Sequence, residues 1–171
     1  NGRPLVYLYD ASNVTVRDAG QVIAFDSREL RVVGVNVSNA TLGVLLWDVN
    51  DSVIDYVVAS GNWYGVYLYG DNNSIADSNV SHNVWYGVYV YGDNYSIVNS
   101  TVSYNQYGIY LNDSSGTLIT GNIISNNRVC GLLIDGSRGD LIYNNLFNNT
   151  NNACIYNSYA YWNVSLRPGK N

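Results

Sequence analysis

Five aspartates recur along the chain at similar intervals: Asp48, Asp71, Asp93, Asp113 and Asp135. Paired carboxylates are the working set of glycoside hydrolysis, and a base beside a calcium-neutralised uronate is that of polysaccharide elimination. Most of the five stand next to Gly or Asn, where Asp normally makes turns. They therefore read as corner residues, with weak calcium binding as the other use. Arg3, Arg17, Arg28, Arg31, Arg128, Arg138 and Arg167 share no common spacing. Arg28 and Arg31 with Asp26 and Glu29 form one charge cluster, which reads as a solvated corner. No catalytic set emerges, so a non-enzyme is expected, with no cofactor and no metal.

The aromatic residues are better organised. Tyr67, Tyr89 and Tyr110 recur at one spacing, and Trp47, Tyr69 and Tyr91 at the same spacing beside them. Trp63 and Trp85 repeat just before, followed by Tyr64, Tyr86 and Tyr107. Such columns stabilise a parallel sheet by stacking. An exposed face this aromatic also suits a protein interface or a stack on sugar rings.

The elements that position these residues follow from an internal repeat. Gly65 opens GVYLYGDNNSIADSNVSHN, Gly87 opens GVYVYGDNYSIVNSTVSYN, and Gly108 opens GIYLNDSSGTLITGNIISN. Gly43 and Gly131 open related units, giving glycine steps of 22, 22, 21 and 23; a fainter copy starts at Gln21. Each unit holds three short apolar runs separated by Gly, Asn, Asp and Ser, with no helical period. Three strands in ~22 residues make one coil of a solenoid whose equivalent strands stack in parallel. The predicted fold is all-β: a single-domain, right-handed parallel β-helix of about seven coils, with an irregular opening coil at 1–20 and an extension at 157–171.

The repeat also predicts the columns. Val44, Val66, Val88, Ile109 and Leu132 should stack inside, as should Leu46, Leu68, Val90, Leu111 and Ile134. Val53, Ile75, Ile97, Leu118 and Leu141 are expected to line the second sheet, and Val58, Val80, Val102, Ile123 and Leu146 the third. Asn83, Asn105, Asn126 and Asn149 are expected to form a ladder of amides, since a buried amide is costly unless paired. Neither end is an obvious polar cap, so the ends are expected to continue in a longer protein or to stack on other subunits.

The 171 residues include 26 Asn and 17 Tyr, one His, no Met, and a net charge of −5. With no basic patch, nucleic acid is not an expected partner, and no apolar run is long enough to span a membrane. Without a signal peptide, the chain reads as a mature or trimmed piece of a secreted protein. Eleven Asn-X-Ser/Thr sequons begin at Asn13, Asn36, Asn39, Asn50, Asn72, Asn79, Asn94, Asn99, Asn112, Asn148 and Asn163. They predict covalent N-glycans, although an Asn-rich chain generates some by chance and corner Asn also serves turn geometry. Asn50, Asn72 and Asn94, 22 apart, are expected on one corner. Cys130 and Cys154 are about one repeat apart, which puts them on neighbouring rungs within reach of a disulfide; two buried thiols are the alternative.

The pattern G-[IV]-x-L…N-x-I…N-x-[IV]-x-x-N resembles the parallel β-helix repeats of NosD-like proteins and of related carbohydrate-binding and sugar-hydrolase domains. The opening NGRPLVYLYDASNVTV and DAGQVIAF, and the closing NNLFNNTNNACIYN, are similar to segments of such domains in archaeal surface proteins. The resemblance covers nearly the whole chain. It implies the fold, and through NosD a link to copper-site maturation, for which this chain lacks the His, Met and Cys clusters.

Two functions are carried forward. One is a non-catalytic structural module of an extracellular glycoprotein, self-associating in a surface layer or filament, or binding a partner protein as an adhesin. The other is a carbohydrate-binding or carbohydrate-processing module, for which two or more of the aspartates should converge beside Tyr or Trp.

Overall fold

The structure is a computed structural model that describes residues 2–163, the side chain of Asn163 excepted. Its strands form three parallel sheets of eight, eight and six strands, and each strand pairs with the equivalent strand of the next coil. Six coils carry all three strands, and a partial coil flanks them at either end. The described residues contain no helix, hence none that could cross a membrane.

The first sheet follows the repeat as expected. In Tyr64–Tyr69 and Tyr86–Tyr91, alternation buries Val66, Leu68, Val88 and Val90 and turns the tyrosines outward. Gly65 and Gly87 sit where coils approach most closely. A Cβ on Gly65 would lie 2.6 Å from the carbonyl oxygen of Gly87 and 2.7 Å from Asn83 Nδ2, which explains the glycine that heads each of the five units from Gly43 to Gly131.

The other two sheets keep Ile75, Ile97, Val80 and Val102 inward as expected but depart by one residue at the remaining positions. The inward residues of the second are Ile54, Ile75, Ile97, Ile119 and Ile142; those of the third are Ala59, Val80, Val102, Ile124 and Phe147. Val53, Leu118 and Leu141 face outward, as do Val58, Ile123 and Leu146. These strands are mostly three residues long, and only the middle residue points in. Where two neighbours are both apolar, as in Leu118–Ile119, composition does not settle which is the middle one.

The amide ladder contains Asn83, Asn105 and Asn149 as expected, with Asn127 in place of Asn126 and Asn62 added at its start. The Oδ1 atoms of Asn83, Asn105, Asn127 and Asn149 each accept the backbone N–H of the Asn one rung before, and Asn62 Oδ1 accepts that of Ala40. Asn126 is instead an exposed turn residue with φ 55°. At the corner between the second and third sheets a further set, Ser78, Ser100, Asn122 and Asn145, bonds rung to rung in the same manner. Buried backbone donors at the corners are thus satisfied by side chains rather than by water.

Cys130 and Cys154 form a disulfide with Cα atoms 6.3 Å apart. It ties the last complete coil to the final partial one, three residues off register, since Cys154 pairs with Leu133. A disulfide points to an oxidising compartment and a secreted chain.

Candidate functional site

The outer face of the first sheet is aromatic because its strands alternate around an apolar core. Strand register brings Trp47, Tyr69 and Tyr91 into one column and Tyr67, Tyr89 and Tyr110 into the next. Trp47 stacks on Tyr69 with centroids 4.8 Å apart, Tyr69 on Tyr91 at 5.1 Å, and Tyr67 on Tyr89 at 4.4 Å, all within 17° of parallel. The columns run further than the repeat suggested. Tyr9 and Phe25 precede Trp47 in register, and Tyr7 starts the neighbouring column. A step of 22 back from Trp47 reaches Phe25; the irregular opening coil concealed the rest.

Stacking has a consequence for recognition. Rings stacked rung on rung along the rod turn their faces toward each other and their edges and hydroxyls toward solvent. Faces become available only where the ladder stops. Toward the later coils it stops at Tyr91, whose next residue in register is Asn112, followed by Asp135; at the other end the stacked rings begin with Trp47. The Asn112 amide turns aside and donates to the Tyr89 hydroxyl at 2.7 Å. Tyr91, 37% exposed, is left without an aromatic neighbour beyond it. At the same end Tyr110 stands at 88° to Tyr89, out of the stack.

Burial raises the Tyr110 phenol to about 12, reinforced by the Asp135 carboxylate, the neighbouring Tyr89 and Tyr86, and Asp113. Burial also raises Tyr67 and Tyr86. These hydroxyls are therefore neutral hydrogen-bonding groups over the physiological range and are not bases. The Asp113 N–H donates to the Asp135 carbonyl at 2.8 Å. Two of the five aspartates are thus brought onto neighbouring rungs at the end of the aromatic ladder.

The remaining aspartates do turn work. Asp71 Oδ1 accepts the Asp93 N–H and Asp93 Oδ1 the Ser115 N–H, at 2.7 and 2.9 Å. Asp48 holds a left-handed turn position with φ 54°. Trp63 and Trp85 lie apart from the ladder, exposed on the corner before the first sheet. His82 stacks on Tyr104 at 4.8 Å, on the turn after the third sheet.

Sequon positions are also resolved. Asn72 and Asn94 share an exposed left-handed corner, but Asn50 is displaced into the column of Asp71 and Asp93, because that turn advances 21 residues rather than 22. Asn13, Asn36, Asn39, Asn79, Asn99 and Asn148 are exposed, and Asn112 is half-buried. The Asn163 side chain, Arg167 and Lys170 lie outside the described residues.

One buried carboxylate has no counterpart in the expectations. Asp140 follows Gly139 at an irregularity in strand pairing and is fully buried. Its Oδ1 accepts the Thr117 N–H at 2.9 Å, while Oδ2 has no partner. Burial raises its pKa to about 6.

Solved structures share this fold. The A-module of the mannuronan C-5 epimerase AlgE6 from Azotobacter vinelandii superposes with a TM-score of 0.65 at 16% identity, over 92% of this chain and 47% of that one. The periplasmic alginate epimerase AlgG gives 0.66 at 15% identity over 91% and 47%. Pectate lyase Pel9A gives 0.58 at 12% over 94% and 53%. The chain therefore spans about half the length of the epimerases it resembles. A search of curated proteins finds no match. The family model described as periplasmic copper-binding protein (NosD) matches residues 6–171. The donors do not fit copper: both cysteines are in the disulfide, the chain has no Met, and no group of three or more His, Cys, Asp or Glu among the described residues could hold a metal. With the match spanning all but the first five residues, the chain belongs to the NosD family as a parallel β-helix, without that family's copper chemistry in its described donors.

Proposed function

We propose that this chain is a carbohydrate-binding module whose site is the outer face of the first sheet, centred on Tyr91. The observation that carries the reading is the end of the ladder. There an aromatic face is uncovered beside an amide, two carboxylates and neutral phenols, the mixture of apolar platform and directional polar groups that orients a small polar ligand. The fold neighbours named for alginate epimerisation and pectate lysis support a polysaccharide context. They give no support to a self-associating structural module, and mutual stacking already occupies the ring faces such an interface would use. A secreted location, at the cell surface or in a periplasm, fits the disulfide. Covalent N-glycans on the exposed sequons, Asn72 and Asn94 foremost, belong to the same setting; intact mass before and after deglycosylation reads them.

The test is retention of the chain on a panel of immobilised glycans. Tyr91→Ala should abolish retention while leaving the unfolding temperature within a few degrees of the parent. Retention unchanged by Tyr91→Ala would overturn the site. A second reading, glycoside hydrolysis, draws on the placement of Asp113 and Asp135 on neighbouring rungs. It predicts new reducing ends from a bound glycan, lost in Asp135→Asn.

A further inference from the structure

We infer that the glycan taken at this site is a neutral one, in contrast to the polyuronates for which the epimerase and lyase neighbours are named. The inference rests on the carbohydrate reading above and names its ligand class.

The charge distribution carries it. From Val32 to Asn127 the sequence has no Lys or Arg at all, while the same span holds seven aspartates. This span builds the coils whose first-sheet strands carry the ladder from Trp47 to Tyr110. At the ladder's end the polar groups are the Asn112 amide, the Asp113 and Asp135 carboxylates and the raised phenol of Tyr110. Carboxylates accept hydrogen bonds from sugar hydroxyls, but they repel a sugar carboxylate at short range. Recognition of a polyuronate needs Arg or Lys as bidentate or point partners, or a bound cation. The cation nearest in register is Arg138, a single exposed residue one rung beyond Ser115, where the chain has turned into the second-sheet strand Arg138–Tyr143. No calcium-type cluster stands in for it among the described residues. A neutral sugar ring asks for what is present: an open aromatic face for its C–H groups and acceptors for its hydroxyls.

The experiment is affinity electrophoresis of the full chain in gels containing soluble neutral glucans, mannans or xylans, and in gels containing alginate or polygalacturonate, with and without calcium. Retardation by at least one neutral polymer, at least tenfold stronger than by either polyuronate, is the expected result, and it should vanish in Tyr91→Ala. Retardation by a polyuronate equal to or stronger than by every neutral polymer, with or without calcium, overturns the neutral class. If that retardation is lost in Tyr91→Ala, the site itself stands. No retardation by any polymer, or retardation indifferent to Tyr91→Ala, overturns the site and the ligand class together.

Discussion

Asn105 Oδ1 accepts two hydrogen bonds from Asn83 one rung away, from the backbone N–H at 2.9 Å and from Nδ2 at 3.0 Å. Asn105 in turn donates through Nδ2 to the Val80 carbonyl and to Asn127 Oδ1. A single side chain therefore satisfies buried groups on both neighbouring coils, and the sheets can turn the corner without water.

Asn105→Ala orphans at least the Asn83 N–H and the Val80 carbonyl. Each unsatisfied buried group costs about 1–3 kcal/mol, so a loss of ~2–6 kcal/mol is expected in denaturant unfolding. Asn126→Ala, on the exposed turn next to the ladder, should cost no more than ~1 kcal/mol, the poorer tolerance of Ala for the left-handed conformation being the main change. Equal effects at both positions would contradict the ladder.

Asp140 gives the fold a pH dependence of definite sign. Its pKa is raised in the folded state from the ordinary carboxylate value of 3.8 to about 6, so below pH ~4 it is protonated folded or unfolded and costs nothing. As pH rises from ~4 through ~6, the unfolded chain releases the proton more readily, and stability falls. Asp140→Asn keeps the acceptor for the Thr117 N–H and removes the charge. The variant should unfold at a higher temperature than the parent at pH 7 and show a flatter profile between pH 4 and 6. A parent whose stability rises across that window, with no difference from the variant, would count against a strained buried carboxylate.

The disulfide holds the end of the rod rather than its middle. Closing a loop of this separation, 24 residues, is worth about 3 kcal/mol in chain entropy. Replacing both cysteines with Ser should speed amide exchange in Ala153–Tyr156 and Tyr159–Asn163, while Tyr86–Tyr91 keeps its protection. Uniform loss of protection along the rod would mean that the coils are more tightly coupled than a nearest-neighbour solenoid.

The first sheet was legible in the sequence because Val66 and Leu68 alternate with tyrosines at every repeat. Strand phase in the other sheets was not, since a three-residue strand flanked by turns leaves doublets such as Val53–Ile54 and Asn126–Asn127 ambiguous by one position. The aromatic columns were legible by spacing, yet their functional content was not. Spacing says that Tyr91 follows Tyr69; it does not say that the rings stack face to face, or that the stack ends where Asn112 replaces an aromatic. Asp140 escaped because its equivalents on the earlier coils are Asn73, Tyr95 and Thr117, so no recurring carboxylate marks the position.

The most direct test of the carbohydrate reading is a calorimetric titration of the chain with an oligosaccharide of the polymer that retains it best, run in parallel on Tyr91→Ala and on Trp63→Ala, which lies off the ladder. Saturable binding that weakens at least tenfold in Tyr91→Ala and stays within about twofold in Trp63→Ala is the predicted result, tenfold being about 1.4 kcal/mol. Binding that is unaffected by Tyr91→Ala, or that is lost instead in Trp63→Ala, would contradict it.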